Sequence, residues 1–117
     1  MSRAVPDSDA ADFALTCLVQ RGYRLVARDL RLRGTVVPLV VTDGPQTVFV
    51  DVKVAPQRRS GAALVLCDRR RATRLTRAIT TYLAAHPGVP SVRIDVVLVT
   101  SDDRGGRRLE QYVNAIP

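Results

Sequence analysis

Hydrophobic residues recur at helical spacing in two parts of the chain. The first part predicts a helix over residues 9–21, where the apolar positions are Ala10, Phe13, Ala14, Cys17 and Leu18. The second predicts a helix from Asp68, a suitable N-cap, to about Ala85, with one stripe formed by Ala72, Leu75, Ile79, Tyr82 and Leu83. Glycine or proline follows each of them, as is typical of helix ends.

The remaining apolar segments predict strands. Residues 23–32 begin by alternating, and residues 35–41 and 47–54 flank the turn signal Asp43-Gly44-Pro45, which predicts a β-hairpin. Pro38 inside the first hairpin run indicates an edge strand or a bulge. Residues 92–100 predict a last buried strand, followed by a charged loop and a short tail. Residues 56–61 predict a basic polar loop, and residues 62–67 fit either a strand or an extended loop.

These elements predict an α/β fold in which a mixed sheet of four or five strands is flanked by helices. A chain of 117 residues with 46% apolar content is the size of one domain. We expect residues 1–8 to form a flexible N-terminal arm and residues 9–117 to form the single domain. Cys17 and Cys67 have neither disulfide nor metal-ligand spacing, so we expect two reduced structural thiols.

The chain carries a net charge of +7, and Lys53 is the only lysine among its 18 lysine and arginine residues. Arginine grips phosphate with a planar fork, so this balance favours a nucleic-acid partner, DNA or RNA. A GC-rich genome would give a similar composition without that role. Aromatic residues make up only 4% of the chain, which gives little support to base stacking. With neither an apolar span nor a secretory signal, we expect a cytoplasmic protein that does not contact a membrane.

The segment VFVDVKV, residues 48–54, is the best candidate for chemistry. On a strand its valines face one side, and Asp51 and Lys53 emerge as neighbours on the other. A buried carboxylate and ammonium are costly unless they are paired or bind something, so the pair indicates a functional site. The alternative is a simple ion pair on a solvated sheet face.

Five segments together resemble the YraN family of small proteins related to the PD-(D/E)XK restriction endonucleases. They are LVQRGYRLVARDLRLRG, VFVDVKV, the arginine-rich helix ending in TYLAAH, VRIDVVLV and NAI, from about Ala10 to Asn114. The resemblance implies a restriction-endonuclease-like fold. It also implies metal-assisted phosphodiester hydrolysis, with Asp51 as a Mg²⁺ ligand and Lys53 as the partner of the attacking water.

The family's other metal-binding acids are absent from this sequence. Where the family reads Gly-Glu-Ile-Asp, this chain reads Gly34-Thr35-Val36-Val37, and counting back from Asp51 places Pro38 at the aspartate position instead. The family's glutamate in the first helix falls at about Ala11. Among possible substitutes, Asp43 lies too far along the hairpin, whereas Asp12 could lean into the site. A single carboxylate binds Mg²⁺ weakly, so we expect no cofactor, or weakly bound Mg²⁺, and a vestigial catalytic pair.

The second helix supplies a candidate nucleic-acid surface. Arg70, Arg74 and Arg77 follow helical spacing, and the neighbouring basic residues are Arg71 in the helix and Arg58 and Arg59 in the preceding loop. Together they would form a positive surface that clamps a phosphate backbone, although a solvated helix face has the same pattern. His86 fits a helix cap, and Arg93 with Asp95 fits a structural pair.

Three functions are therefore compatible with the sequence. The first is a nuclease-fold protein that binds nucleic acid but is catalytically impaired. The second is a residual Mg²⁺-dependent endonuclease that uses Asp51 and Lys53, and the third is a non-catalytic protein-interaction module. The oligomeric state and the choice between DNA and RNA do not follow from these residues.

Overall fold

The computed structural model describes residues 5–56 and 69–116. Its elements in chain order are α1 (Val5–Gln20), β1 (Arg24–Leu32), β2 (Thr35–Asp43), β3 (Gln46–Pro56), α2 (Arg69–Ala85), β4 (Val92–Ser101) and β5 (Arg107–Tyr112). The predicted hairpin and the predicted second helix are both confirmed. The predictions for Arg58, Arg59, Cys67, the Asp68 cap and the segment 62–67 fall outside the described residues.

The strands form one mixed sheet in the order β1-β2-β3-β4-β5. Neighbouring strands are antiparallel except for β3 and β4, which run parallel over the whole stretch from Thr47 opposite Val92 to Pro56 opposite Ser101. Parallel neighbours need a crossover connection, and α2 lies in the segment that joins β3 to β4. The predicted α/β fold with a helix-flanked mixed sheet is confirmed, and it is consistent with a restriction-endonuclease-like fold.

Each face of the sheet carries its own hydrophobic core. On one face α1 packs on the strands through a cluster that includes Ala14, Leu18, Leu39, Val50 and Val97. On the other face α2 packs through a cluster of six buried residues: Val37, Val40, Phe49, Leu75, Ile79 and Ile94. The alternation of β3 explains this division, because Val48, Val50 and Val52 pack on the α1 side while Phe49 packs on the α2 side. Asp51 and Lys53 are odd-numbered like Phe49, so their side chains lie on the same face of β3 as Phe49.

Pro38 lies in β2, which is hydrogen-bonded to β1 on one side and β3 on the other, so the edge-strand alternative is wrong. The strand is irregular at this residue: Val37 packs in the α2-side core, whereas Leu39 packs in the α1-side core. In a regular strand these two side chains would share a face. The register on either side places Asp29 opposite Pro38, and Asp29 has a positive φ of 52°.

Two boundaries differ from the sequence prediction. The first helix begins at Val5 instead of residue 9, so part of the segment expected to be an arm is helical. Pro6 is tolerated there because the first helical turn needs no intrahelical N–H donor. The strand β5 lies where the sequence predicted the end of a charged loop and a short tail, so β4 is not the last strand. In the described residues, no helix is long and apolar enough to cross a membrane.

Candidate functional site

Asp51 lies in the middle of the sheet on the face that α2 covers. Only 4% of the residue is exposed, so the carboxylate has lost most of its hydration and needs a counter-charge. Lys53, two residues further along the same strand face, places its Nζ 4.0 Å from Asp51 Oδ2. The prediction that these two side chains are neighbours on one face is therefore confirmed.

Arg71 is the main partner of the Asp51 carboxylate. Its Nη2 donates to Asp51 Oδ1 at 3.0 Å, and its Nε approaches Oδ2 at 3.4 Å, so both carboxylate oxygens face one guanidinium. The same Nη2 also donates to the backbone carbonyl of Val36 at 2.7 Å. Charge-assisted contacts of this two-pronged kind are strong and fix geometry. Arg71 thus ties α2 to β2 and β3 at the candidate site.

Arg71 was expected on the nucleic-acid surface, but its side chain faces the buried Asp51 instead, a contact that the sequence prediction did not include. The signal was present in the helical period, because Arg71 stands four residues before Leu75 and seven before Ala78, both of which are buried against the sheet. Its side chain is only 21% exposed. A basic residue on the buried face of a helix needs an acidic partner, and Asp51 is that partner.

The positions expected to carry further metal ligands hold buried non-acidic residues. Val37 is fully buried in the α2-side core, Thr35 is 6% exposed, and Ala11 in α1 is 4% exposed. Within residues 5–56 and 69–116, no group of three or more His, Cys, Asp or Glu side chains could hold a metal ion. The described donor set at Asp51 is one carboxylate faced by two cations, which does not fit a hard divalent cation.

The two aspartates considered as substitutes lie elsewhere. Asp12, on α1, forms an ion pair with Arg28 of β1 on the opposite side of the sheet from α2. Asp43, at the end of β2, is mostly exposed, and its Oδ2 lies 3.6 Å from Arg93 Nη1. Each carboxylate thus has an arginine partner away from the Asp51 site.

A second buried carboxylate, Asp95 in β4, belongs to a structural network. It is completely buried, and Arg93 grips both of its oxygens at 2.9 and 3.1 Å. The Gln111 side chain and the backbone N–H of Asn114 donate to it as well, at 3.0 and 2.8 Å. The pKa of Arg93 is raised above its ordinary value, chiefly by the hydrogen bond to Asp95. The predicted structural pair is confirmed.

The outer face of α2 presents the predicted arginine stripe. Arg70, Arg74 and Arg77 are all exposed, and the opposite face of the helix buries Leu75, Ala78 and Ile79. The stripe is therefore available to a ligand, with Arg69 also exposed beside it. At the end of the same helix, His86 Nδ1 lies 2.8 Å from the carbonyl of Tyr82, and the two rings stack at 3.9 Å, in accord with the predicted capping position.

Comparison with known proteins gives one consistent family. The profile of the family described as "Uncharacterised protein family UPF0102" matches residues 10–99. A UPF0102 protein from Methylococcus capsulatus is 34% identical over 114 residues, covering 97% of this chain and 92% of its own length. One from Symbiobacterium thermophilum is 36% identical over 121 residues, covering 98% of both chains. One from Frankia alni is 38% identical over 99 residues, covering 84% of this chain and 82% of its own.

Proposed function

Because the chain belongs to the UPF0102 (YraN) family, we propose that it is a nuclease-like protein that binds nucleic acid without cleaving it. On this proposal the fold is a member of the restriction-endonuclease-like superfamily with a degenerate metal site. The observation that carries it is the contact between Arg71 and both oxygens of Asp51. Both oxygens of the one carboxylate that a catalytic cation would need are already in contact with a guanidinium.

The loss of catalysis follows from the charges around Asp51. Metal-assisted hydrolysis needs carboxylates that hold a divalent cation against the phosphate. Here Arg71 and Lys53 already bring two positive charges to one carboxylate. A divalent cation would have to displace a two-pronged ion pair and would be repelled by both side chains. Val37 offers it no oxygen ligand from its side chain.

The binding role follows from the arginines of α2 that are exposed instead of paired with a buried carboxylate. Arg71 and Arg93 are committed to buried carboxylates, whereas the side chains of Arg70, Arg74 and Arg77 lie exposed along one helix. The net charge of +7 adds a long-range attraction for polyanions. Contacts to phosphates carry no base information, so we expect binding that depends on salt far more than on sequence.

A salt series on a 20-base-pair DNA duplex, measured by fluorescence anisotropy, tests the binding role. Replacing Arg70, Arg74 and Arg77 together with Ala should flatten the slope of log K against log salt by up to about 2.7 units, at 0.9 per phosphate contact. The matched control is Arg24→Ala, Arg104→Ala and Arg108→Ala, which removes the same charge from other exposed positions. An equal effect in both variants would contradict a localised surface. No binding by the wild type at low salt would favour the protein-interaction alternative.

One observation favours a second candidate, a residual Mg²⁺-dependent endonuclease. Asp51 and Lys53 remain adjacent on one strand face, as the cleavage chemistry of the superfamily requires. This candidate needs an additional acid, supplied by a second subunit or by residues beyond those described. Metal-dependent cleavage that Asp51→Ala abolishes would establish it.

A further inference from the structure

The turn between β1 and β2 places an arginine in an unfavourable backbone conformation. Leu32 pairs with Thr35, so Arg33 and Gly34 form a two-residue hairpin loop, and their φ angles are 48° and 78°. Positive φ at both positions is the pattern of a type I′ turn, whose first position strongly favours Asn, Asp or Gly. Arg33 is none of these residue types, and its left-handed conformation is strained.

Strain of this kind persists where the surrounding structure holds the residue in place, and strained residues concentrate at functional sites. Arg33 is exposed, so burial of its side chain in the core does not explain its presence. A Cβ atom placed on the neighbouring Gly34 would meet nothing within 4 Å, so the turn itself is open and Gly34 serves only the backbone angle. The side chain of Arg33 is therefore the feature of this turn that calls for a role.

Arg33 lies on the wall of a cleft between this turn and the outer face of α2. The cleft has a volume of about 570 Å³, and its basic lining residues are Arg33, Arg74 and Arg77. Two of these belong to the arginine stripe, so the cleft continues that surface towards the sheet. The volume falls within the range of ordinary small-ligand sites.

The remaining lining residues narrow the class of ligand. Among the described residues that line the cleft, none is acidic and none is aromatic. The hydroxyls of Thr80 and Thr81 donate to carbonyls of their own helix, so the charged donors of the lining are its three arginines, beside the neutral hydroxyls of Thr35 and Thr76. Guanidinium groups without a carboxylate fit phosphate oxygens, and a wall without rings offers no surface for base stacking.

We propose that this cleft seats consecutive phosphates of a nucleic-acid strand that crosses α2, with Arg33 retained in its strained turn for that contact. The proposal rests on the proposed function, since the same strand would contact the exposed arginines of α2. It adds a second element, the β1–β2 turn, to the surface. It also makes the turn residue a binding residue whose presence lowers stability.

Arg33→Asn tests the proposal because it separates binding from folding. Asn accepts positive φ more readily than Arg, so the variant should unfold about 3 °C higher than the wild type. Its salt slope on the 20-base-pair duplex should fall by about 0.9 units. Arg31→Gln is the matched control: it removes one exposed charge from β1 outside the cleft, and its salt slope should equal that of the wild type.

Four results would overturn the proposal, and they differ in what else they affect. A more stable Arg33→Asn variant with the wild-type slope removes the cleft but leaves the stripe of α2 as the binding surface. A less stable variant makes Arg33 a structural residue. If the wild type shows no binding to the duplex at low salt, the proposed function is contradicted as well. If inorganic pyrophosphate raises the unfolding temperature of the wild type, but not of Arg33→Asn, while the duplex does not bind, the cleft takes small polyphosphates instead.

Discussion

Removing Arg71 should show how much the ion pair at Asp51 contributes to the stability of the protein. Arg71→Ala removes the main counter-charge of a carboxylate that is 6% exposed in the wild type; the Lys53 ammonium at 4.0 Å stays, and the carbonyl of Val36 loses a donor. Breaking a fully buried pair costs about 3–5 kcal/mol. Arg71 is 21% exposed and Lys53 stays in place, so we expect a loss of about 2–3 kcal/mol in the free energy of unfolding.

Urea unfolding measures this loss, and Arg70→Ala is the matched control. Arg70 is the adjacent residue of the same helix and is exposed, so its removal should change the free energy of unfolding by no more than about 0.5 kcal/mol. A double-mutant cycle with Asp51→Ala should return a coupling energy of about 1–3 kcal/mol. Equal stability of Arg71→Ala and Arg70→Ala, with no coupling to Asp51, would refute the reasoning that Arg71 neutralises the site.

Two further predictions follow from the buried positions. Thr35→Glu with Val37→Asp should lower the free energy of unfolding by about 3 kcal/mol without metal, because position 37 is fully buried. When Arg71→Ala is added to this variant, Mn²⁺ should raise its unfolding temperature and leave that of the wild type unchanged. The absence of a Mn²⁺ effect on the triple variant would show that these positions cannot hold a cation. Arg93→Met should cost about 3 kcal/mol in urea unfolding because Asp95 is completely buried and loses two of its hydrogen bonds; a loss below about 1 kcal/mol would contradict a structural role for the pair.

The parts of the fold with a strong period could be predicted from the sequence. The hairpin followed from the turn signal at Asp43 between two apolar runs, and α2 followed from a stripe that includes Leu75 and Ile79. The strand β5 was missed because its sequence, RRLEQY, buries little apolar surface: Leu109 packs against the α1-side core from an otherwise charged edge. Charged edge strands are common because they resist edge-to-edge association, and they weaken the alternation that a sequence shows.

Only the part of the candidate site that lies on a single strand could be predicted from the sequence. Alternation alone placed Asp51 and Lys53 side by side, because both lie on one strand. The partner of Asp51 comes from α2, 20 residues further along the chain. The helical period places Arg71 on the buried face of α2, but a local pattern does not show which acid it pairs with. Pro38 shows the same limit, since its strand lies inside the sheet and its neighbours Val37 and Leu39 pack on opposite faces.

The most direct measurement is a cleavage assay on the purified wild-type protein with end-labelled single-stranded DNA, duplex DNA and RNA, in Mg²⁺ and in Mn²⁺. With Asp51 held by Arg71 and Lys53 and no acid at positions 35 and 37, we expect no more product from the wild type than from Asp51→Ala under any of these conditions. Robust metal-dependent cleavage by the wild type, lost in Asp51→Ala, would contradict the proposed loss of catalysis and establish a working nuclease.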